Sequence, residues 1–261
     1  MDAPPHGLDT AADPTAVGLT PGAIEGVIAL HDQRRSYASF AAFEDDLPQL
    51  LSAARWLDHC AEVTRLLGLV EPLSAEHLPP ETIRITAPSY RESLQANGLI
   101  SRQRALLLVL EQAYGDLPAL GELEVCLAEA GTGLAQWWRL RLGEERLVCR
   151  PAEPAPLPAE RFDLLLCSDL LGAGEPLEGA LASALAALRP QGRLVATCPL
   201  DFQRERAPAE ARDGIPGWEL LRQLRETGFS RGCIHHIASW KHGVLARSLP
   251  GVLVIEAQKG A

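Results

Sequence analysis

A short glycine-rich turn is the first part of the sequence that could bind a ligand. It follows a strand-like apolar run over 123–128 and has the pattern Glu129-x-Gly131-x-Gly133. Small residues let a backbone pass close to a ligand, and a carboxylate in the turn can accept a hydrogen bond from one. Gly131 and Gly133 would serve equally well to shape a turn between a strand and a helix, so the pattern leaves both interpretations open.

Asp169 is a second candidate for ligand binding. It directly follows the mainly apolar run at 162–168, which predicts a buried strand. Ligands of parallel α/β sheets bind beyond the carboxyl ends of the strands, where Asp169 would lie. A carboxylate that caps a helix or a turn is an equally good interpretation of this residue.

A histidine-rich segment near the C-terminus suggests metal binding or proton transfer. His235 and His236 follow Cys233 in a strand-like run, and His242 comes later in a loop. Neighbouring strand residues point to opposite faces, so His235 and His236 do not share one metal. With no carboxylate close by in the sequence, we expect no metal site. His236 and His242 remain candidates for a general base or for lining a substrate pocket.

Two arginines, Arg102 and Arg104, precede a nearly continuous apolar run at 105–110. Guanidinium groups can bind a carboxylate or a phosphate through two parallel hydrogen bonds. Arginines in such positions are more often solvated or paired with neighbouring acids, and we favour that interpretation here.

Alternating strands and helices must position these residues. From residue 123 onward, short apolar runs typical of buried strands alternate with helical segments. This alternation predicts a mainly parallel sheet with helices on both faces. The last two strand-like runs have only a loop between them, so they should pair antiparallel at one edge of the sheet. The predicted strands are 123–128, 146–150, 162–168, 192–198, 233–240 and 252–257, and the predicted helices are 131–142, 176–188 and 218–227.

The chain divides into three predicted parts. Residues 1–20 are rich in Pro, Ala, Gly and Asp, which is typical of a flexible leader. Residues 21–115 should form an N-terminal helical region, and residues 116–261 the α/β domain. Within that domain we expect one ring of the Trp137-Trp138 pair in the core and the other at an open edge or an interface.

Four stretches of the second half carry a family resemblance. They are the strand and turn at 123–135, the run Arg-Phe-Asp-Leu-Leu-Leu-Cys-Ser-Asp-Leu-Leu at 161–171, a stretch at 180–198 that contains Leu-Arg-Pro-Gln-Gly-Arg-Leu at 188–194, and a terminal segment at 224–259 that contains Thr-Gly-Phe at 227–229 and closes with Val-Ile-Glu-Ala-Gln-Lys. Together they resemble a class I S-adenosylmethionine (SAM) dependent methyltransferase. The second and third stretches are fairly specific in combination, and the match spans about half of the chain.

The resemblance implies a Rossmann-like sheet with an antiparallel terminal hairpin and SAM as the cofactor. It implies cofactor contacts from Glu129, Gly131, Gly133 and Asp169. A second alignment of the turn places the two glycines on the last two glycines of the family pattern. Glu129 then replaces a glycine and Leu127 replaces the acid, which would fill the cofactor pocket. The sequence does not choose between the two alignments.

The chain departs from the family pattern after the second strand. Arg150 lies where the family has an acid that holds the ribose hydroxyls, and arginine cannot accept a hydrogen bond. The ten residues 151–160 include four prolines, which leaves no room for a further helix and third strand. We therefore expect a sheet shortened around its second and third strands. Two functions fit: a methyltransferase acting on a small molecule or sugar-type acceptor, or a catalytically inactive subunit that binds a partner protein or forms an assembly.

The composition indicates which classes of partner and which cellular compartment the protein has. The net charge of −10 opposes binding to the phosphate backbone of nucleic acids. No apolar run approaches the roughly 18 residues of a membrane span, and residues 1–20 lack the pattern of a signal peptide. The six cysteines are widely spaced and fit reduced thiols of a cytoplasmic protein. We expect a small-molecule acceptor or a protein partner, and a homo-oligomer is compatible with the sequence.

Overall fold

A computed structural model of the protein describes residues 20–128, 133–149, 157–169, 176–206 and 215–261. Within these ranges the main sheet has seven strands in the order β1-β11-β12-β10-β9-β7-β8. Two smaller sheets, β2-β3 and β4-β5-β6, lie in the N-terminal half. The main-sheet strands are β1 (Gln33–Tyr37), β7 (Val125–Leu127), β8 (Leu147–Cys149), β9 (Phe162–Ser168), β10 (Leu188–Thr197), β11 (Phe229–Ala238) and β12 (Val252–Lys259). The small strands are β2 (Leu69–Val70), β3 (His77–Leu78), β4 (Arg84–Ile85), β5 (Leu94–Ala96) and β6 (Leu99–Ile100).

The strand directions match the predicted pattern. β8, β7, β9 and β10 run parallel, and β12 lies between β10 and β11, antiparallel to both. The predicted terminal hairpin is therefore confirmed, with Ile234 opposite Ile255. At the other end, β8 has three residues and pairs only with β7 among the described strands. This agrees with the shortened sheet that the Pro-rich segment predicts.

Helices cover both faces of the sheet, as the alternation predicts. Alternate residues of each strand serve opposite faces: Leu164 and Leu166 pack with α4 and α6, whereas Leu165 packs with α2, α7 and α8. Trp137 and Trp138 are both buried in the first of these layers, so neither ring forms an exposed patch. The helices are α1 (Pro21–Ala29), α2 (Phe40–Ser52), α3 (Leu57–Leu67), α4 (Ser101–Tyr114), α5 (Leu117–Gly121), α6 (Gly133–Leu142), α7 (Leu177–Ala187) and α8 (Leu220–Thr227).

The N-terminal half contributes directly to the main sheet. We expected residues 21–115 to form a helical region, but β1 lies within it and pairs antiparallel with β11. Without β1, the outer edge of β11 would expose unpaired backbone groups. The pairing covers this edge, and β1 becomes the last strand of the sheet on that side. α4 also packs against β9, β10 and β12. No helix in the described part of the chain is both long and apolar enough to span a membrane.

Candidate functional site

Asp169 lies where the sequence places it, at the carboxyl edge of the sheet. We use "carboxyl edge" for the side on which β7, β9 and β10 end. Ser168 pairs with Thr197 there, and the backbone N–H of Asp169 donates to the backbone oxygen of Thr197 at 3.0 Å and to its Oγ1 at 3.1 Å. Asp169 has a φ of 61°, in the left-handed region. Such a conformation is uncommon for a residue other than glycine and is concentrated at functional sites.

Two arginines from the N-terminal half surround this carboxylate. Arg91 donates to both oxygens of Asp169 at 2.5 and 2.6 Å, and Nε of Arg102 lies 3.5 Å from Oδ2. Burial by itself would raise the pKa of Asp169, but the hydrogen bonds and charge of Arg91 and the charge of Arg102 outweigh it. The net effect holds the pKa of Asp169 below its ordinary value. The site therefore carries charges of both signs at neutral pH.

Arg91 was not among the site residues predicted from the sequence, and Arg104 is neither solvated nor paired with an acid as we expected. Arg102 pairs with Glu92 and Asp169, in line with the preferred interpretation. Arg104 is fully buried and donates to three backbone oxygens, those of Leu94, Leu99 and Gly243, so it has a structural role.

A cavity of about 450 Å³ opens beside this cluster. Arg91 lines one wall, residues 198–202 after β10 line another, and residues of the connection between β11 and β12 complete it. Phe202 contributes an aromatic ring, and Asp201 and Arg204 contribute charges. Its volume and mixed lining suit a small ligand with both apolar and polar parts.

The glycine-rich turn is described only at its last position. Glu129 and Gly131 lie outside the described residues, so their assignment stays a prediction. Gly133 begins α6 and touches the backbone of Gly98, at the tip of the β5–β6 hairpin. Asn97 and Gly98 both have positive φ, 49° and 75°, as the tight turn of a two-residue hairpin requires. A Cβ on Gly133 would lie 1.7 Å from the Gly98 oxygen, so the hairpin demands a glycine there.

Replacing Gly133 by alanine should push this hairpin off α6. We expect the free energy of unfolding to fall by about 1–3 kcal/mol, because neither backbone can move without disturbing its own element. Urea unfolding followed by circular dichroism measures the change. Gly121→Ala is the matched control, since its nearest neighbour would be Leu142 Cδ2 at an ordinary 3.6 Å. Equal stability of the two variants would contradict the contact.

The two candidate histidines lie apart from the cavity lining in the described structure. His236 is fully buried, and its Nε2 lies 2.7 Å from the backbone oxygen of Pro250. His242 is buried, and its Nδ1 lies 2.7 Å from the backbone oxygen of Val70. Burial lowers the pKa of both residues, that of His236 to about 4. These environments suit neutral structural histidines better than a base that must reach a substrate.

A second cavity, of about 520 Å³, lies at the start of α6 and includes Gly98 and Gly133 in its lining. Trp137 also lines it, and the buried Nε1 of this ring has no hydrogen-bond acceptor among the described residues. A buried donor without a partner favours an acceptor supplied by a ligand or a water molecule.

The comparisons with known proteins give similar solved structures but no sequence match. No protein-family model and no curated protein matches this sequence. A Burkholderia thailandensis 1,6-didemethyltoxoflavin-N1-methyltransferase with bound S-adenosylhomocysteine is 19% identical over 62% of this chain and 79% of its own, with a TM-score of 0.42. A SAM-dependent methyltransferase from Mesorhizobium loti is 18% identical over 55% of this chain and 95% of its own, with a TM-score of 0.40.

A third similar structure has a different described activity. The [4+2]-cyclase SpnF is 16% identical over 80% of this chain and 82% of its own, with a TM-score of 0.39. Identities and TM-scores this low say nothing about the function of this chain. The architecture is instead defined by the order and directions of its strands. The chain has a Rossmann-like α/β fold in which two strands of the described main sheet, β12 and β1, are reversed. SAM-dependent methyltransferases are among the solved structures similar to it.

Proposed function

We propose that the protein binds SAM at the carboxyl edge and transfers its methyl group to a small molecule or a sugar-type acceptor. The observation that carries the proposal is the cavity beside the Arg91–Asp169 pair. It lies at the edge where ligands of such sheets bind, and its volume suits a small acceptor.

The charges at this edge fit the amino-acid end of SAM. That end has a carboxylate and an ammonium group, which need donors and an acceptor respectively. Arg91 and Arg102 supply the donors, and Asp169 is an acceptor between them. Gly133 and the predicted Glu129 and Gly131 would complete the binding turn. We expect Asp169 to exchange part of its pairing with Arg91 for the ligand ammonium.

The residues of the chain would act mainly by positioning. SAM supplies a methyl group that its sulfonium already activates, so the protein has to hold an acceptor atom in line with it. Phe202 and the apolar residues of the cavity would bury the body of the acceptor, and Arg204 would orient a polar group.

A catalytically inactive subunit that binds a partner protein is the second candidate. Two contacts favour it: the Gly98 backbone packs on Gly133, and both oxygens of Asp169 are already engaged by Arg91. Under this hypothesis, residues of the N-terminal half fill the place at the carboxyl edge that a cofactor would otherwise take.

Calorimetric titration with SAM and S-adenosylhomocysteine separates the two candidates. The proposal predicts micromolar binding by the wild-type protein and at least about tenfold weaker binding by Asp169→Asn, because a charged acceptor is lost. Asp163→Asn is the matched control, since Asp163 lies on β9, the strand that Asp169 follows, and its carboxylate pairs with Arg189 and the Glu124 backbone. Absence of binding by the folded wild-type chain would reject the methyltransferase and leave the inactive subunit.

A further inference from the structure

Three different metal-binding side chains converge on one face of the terminal hairpin. Sγ of Cys233 lies 3.3 Å from Nε2 of His235 and 3.8 Å from Oε2 of Glu256, and the last two atoms are 2.9 Å apart. Donor atoms around a tetrahedral zinc ion are separated by about 3.3–3.7 Å, given bonds of about 2.0–2.3 Å. Shifts of a few tenths of an ångström would bring all three atoms to bonding distance of one ion.

The sheet explains why these residues meet. Cys233 and His235 are two positions apart on β11, so their side chains lie on the same face. Glu256 on β12 is the register partner of Cys233. No carboxylate lies close to these residues in the sequence, which is why we expected no metal there, but the hairpin brings in a carboxylate from 21 residues away. Donors on paired strands are held more precisely than donors on loops.

Two further strands orient the ligands. Oγ of Ser36 on β1 lies 2.8 Å from Nδ1 of His235. If Oγ accepts a hydrogen bond from Nδ1–H, Nε2 carries no proton and its lone pair can bind a metal. Arg193 on β10 donates to Oε1 of Glu256 and leaves Oε2 facing Cys233 and His235. Partners of this kind, which hold the far atom of each ligand, are characteristic of protein metal sites.

We propose that Cys233, His235 and Glu256 bind a zinc ion, with a water molecule as the fourth ligand. Sulfur, nitrogen and oxygen donors in one set favour zinc over magnesium or calcium, which prefer oxygen alone. His235 is buried, whereas Cys233 and Glu256 are half-buried, so solvent can reach the fourth position. This inference does not depend on SAM binding.

Zinc binding should release a proton. A cysteine without a bound metal is mainly a protonated thiol at neutral pH, because its ordinary pKa is about 8.5. Zinc displaces this proton and takes the thiolate as a ligand. The thiolate and carboxylate then balance the two charges of the ion. Titration in buffers of different ionisation enthalpy should detect about one proton released per zinc bound.

Cobalt substitution tests the site independently of any activity. Cobalt(II) added to the metal-free protein should produce a thiolate-to-metal charge-transfer absorption, which excess zinc abolishes. Cys233→Ser should lose this band, whereas Cys149→Ser should keep it, because Cys149 is the other half-buried cysteine and lies on β8. Ser36→Ala should weaken zinc binding about 10–100-fold, as expected for loss of an orienting partner.

Zinc should also raise the melting temperature of the wild-type protein and of Cys149→Ser but not of Cys233→Ser, since binding to the folded state alone stabilises it. Melting curves recorded without metal establish that each variant is folded. A wild-type protein that binds neither ion, or a folded Cys233→Ser that keeps the full absorption band, would overturn the proposal. Either outcome would show that Cys233, His235 and Glu256 are held together by hydrogen bonds alone and do not bind a metal.

Discussion

Replacing Arg104 by methionine should lower the free energy of unfolding by about 3 kcal/mol or more. The guanidinium is fully buried and donates to the backbone oxygens of Leu99 at 2.7 Å, Leu94 at 3.0 Å and Gly243 at 2.7 Å. Methionine keeps most of the side-chain volume but leaves these oxygens without their donor, and each such loss costs about 1–3 kcal/mol. Ser101 also donates to Gly243, so that oxygen retains one partner.

The loss should show in urea unfolding followed by tryptophan fluorescence and circular dichroism. Arg65→Met on α3 is the matched control, because Arg65 is exposed and makes a surface ion pair with Glu62. Such pairs contribute about 0–1 kcal/mol. Comparable stability of the Arg104 and Arg65 variants would show that the buried bonds do not hold the β5–β6 hairpin and the Gly243 loop together.

His236 should make the protein less stable as the pH falls from about 6.5 to about 4. An exposed histidine gains a proton near pH 6.5, and burial lowers the pKa of His236 to about 4. In this pH range the unfolded chain binds a proton at His236 and the folded chain does not. The free energy of unfolding therefore decreases as the pH is lowered. A shift of this size corresponds to roughly 3 kcal/mol, fully expressed only below the folded pKa.

Denaturant unfolding at pH 7 and at pH 4.5 measures this effect. His236→Gln should lose less stability between the two pH values than the wild-type protein does, even if it is less stable at both. Gly121→Ala, which leaves every titratable side chain in place, should keep the wild-type dependence. Parallel pH curves for the wild-type protein and His236→Gln would contradict the assignment.

Local sequence patterns predicted most of the main sheet. β9 was predicted with the observed bounds because the run at 162–168 is mainly apolar, as expected of a strand that is covered on both faces of the sheet. β1 was missed because Gln-Arg-Arg-Ser-Tyr has no apolar alternation and becomes a strand only through pairing with β11. Its formation depends on residues about 200 positions away, which no local pattern can indicate.

The candidate site depends on the same kind of long-range contact. Asp169 could be placed at the carboxyl edge because it follows a recognisable strand. Its partner Arg91 lies 78 residues away, and nothing local links the two. Likewise, the two-residue period places Cys233 and His235 on one face, but only the register of β11 and β12 adds Glu256. Glu129 and Gly131 lie outside the described residues, and their roles stay predictions.

Hydrogen–deuterium exchange with and without S-adenosylhomocysteine tests most directly whether the carboxyl edge binds the cofactor. Cofactor binding at this edge should slow the exchange of backbone amides in the β5–β6 hairpin and around Asp169 at saturating ligand. Amides around Cys233 in the terminal hairpin should not change. Unchanged exchange throughout the chain, or protection confined to regions away from the carboxyl edge, would show that the cofactor does not bind there.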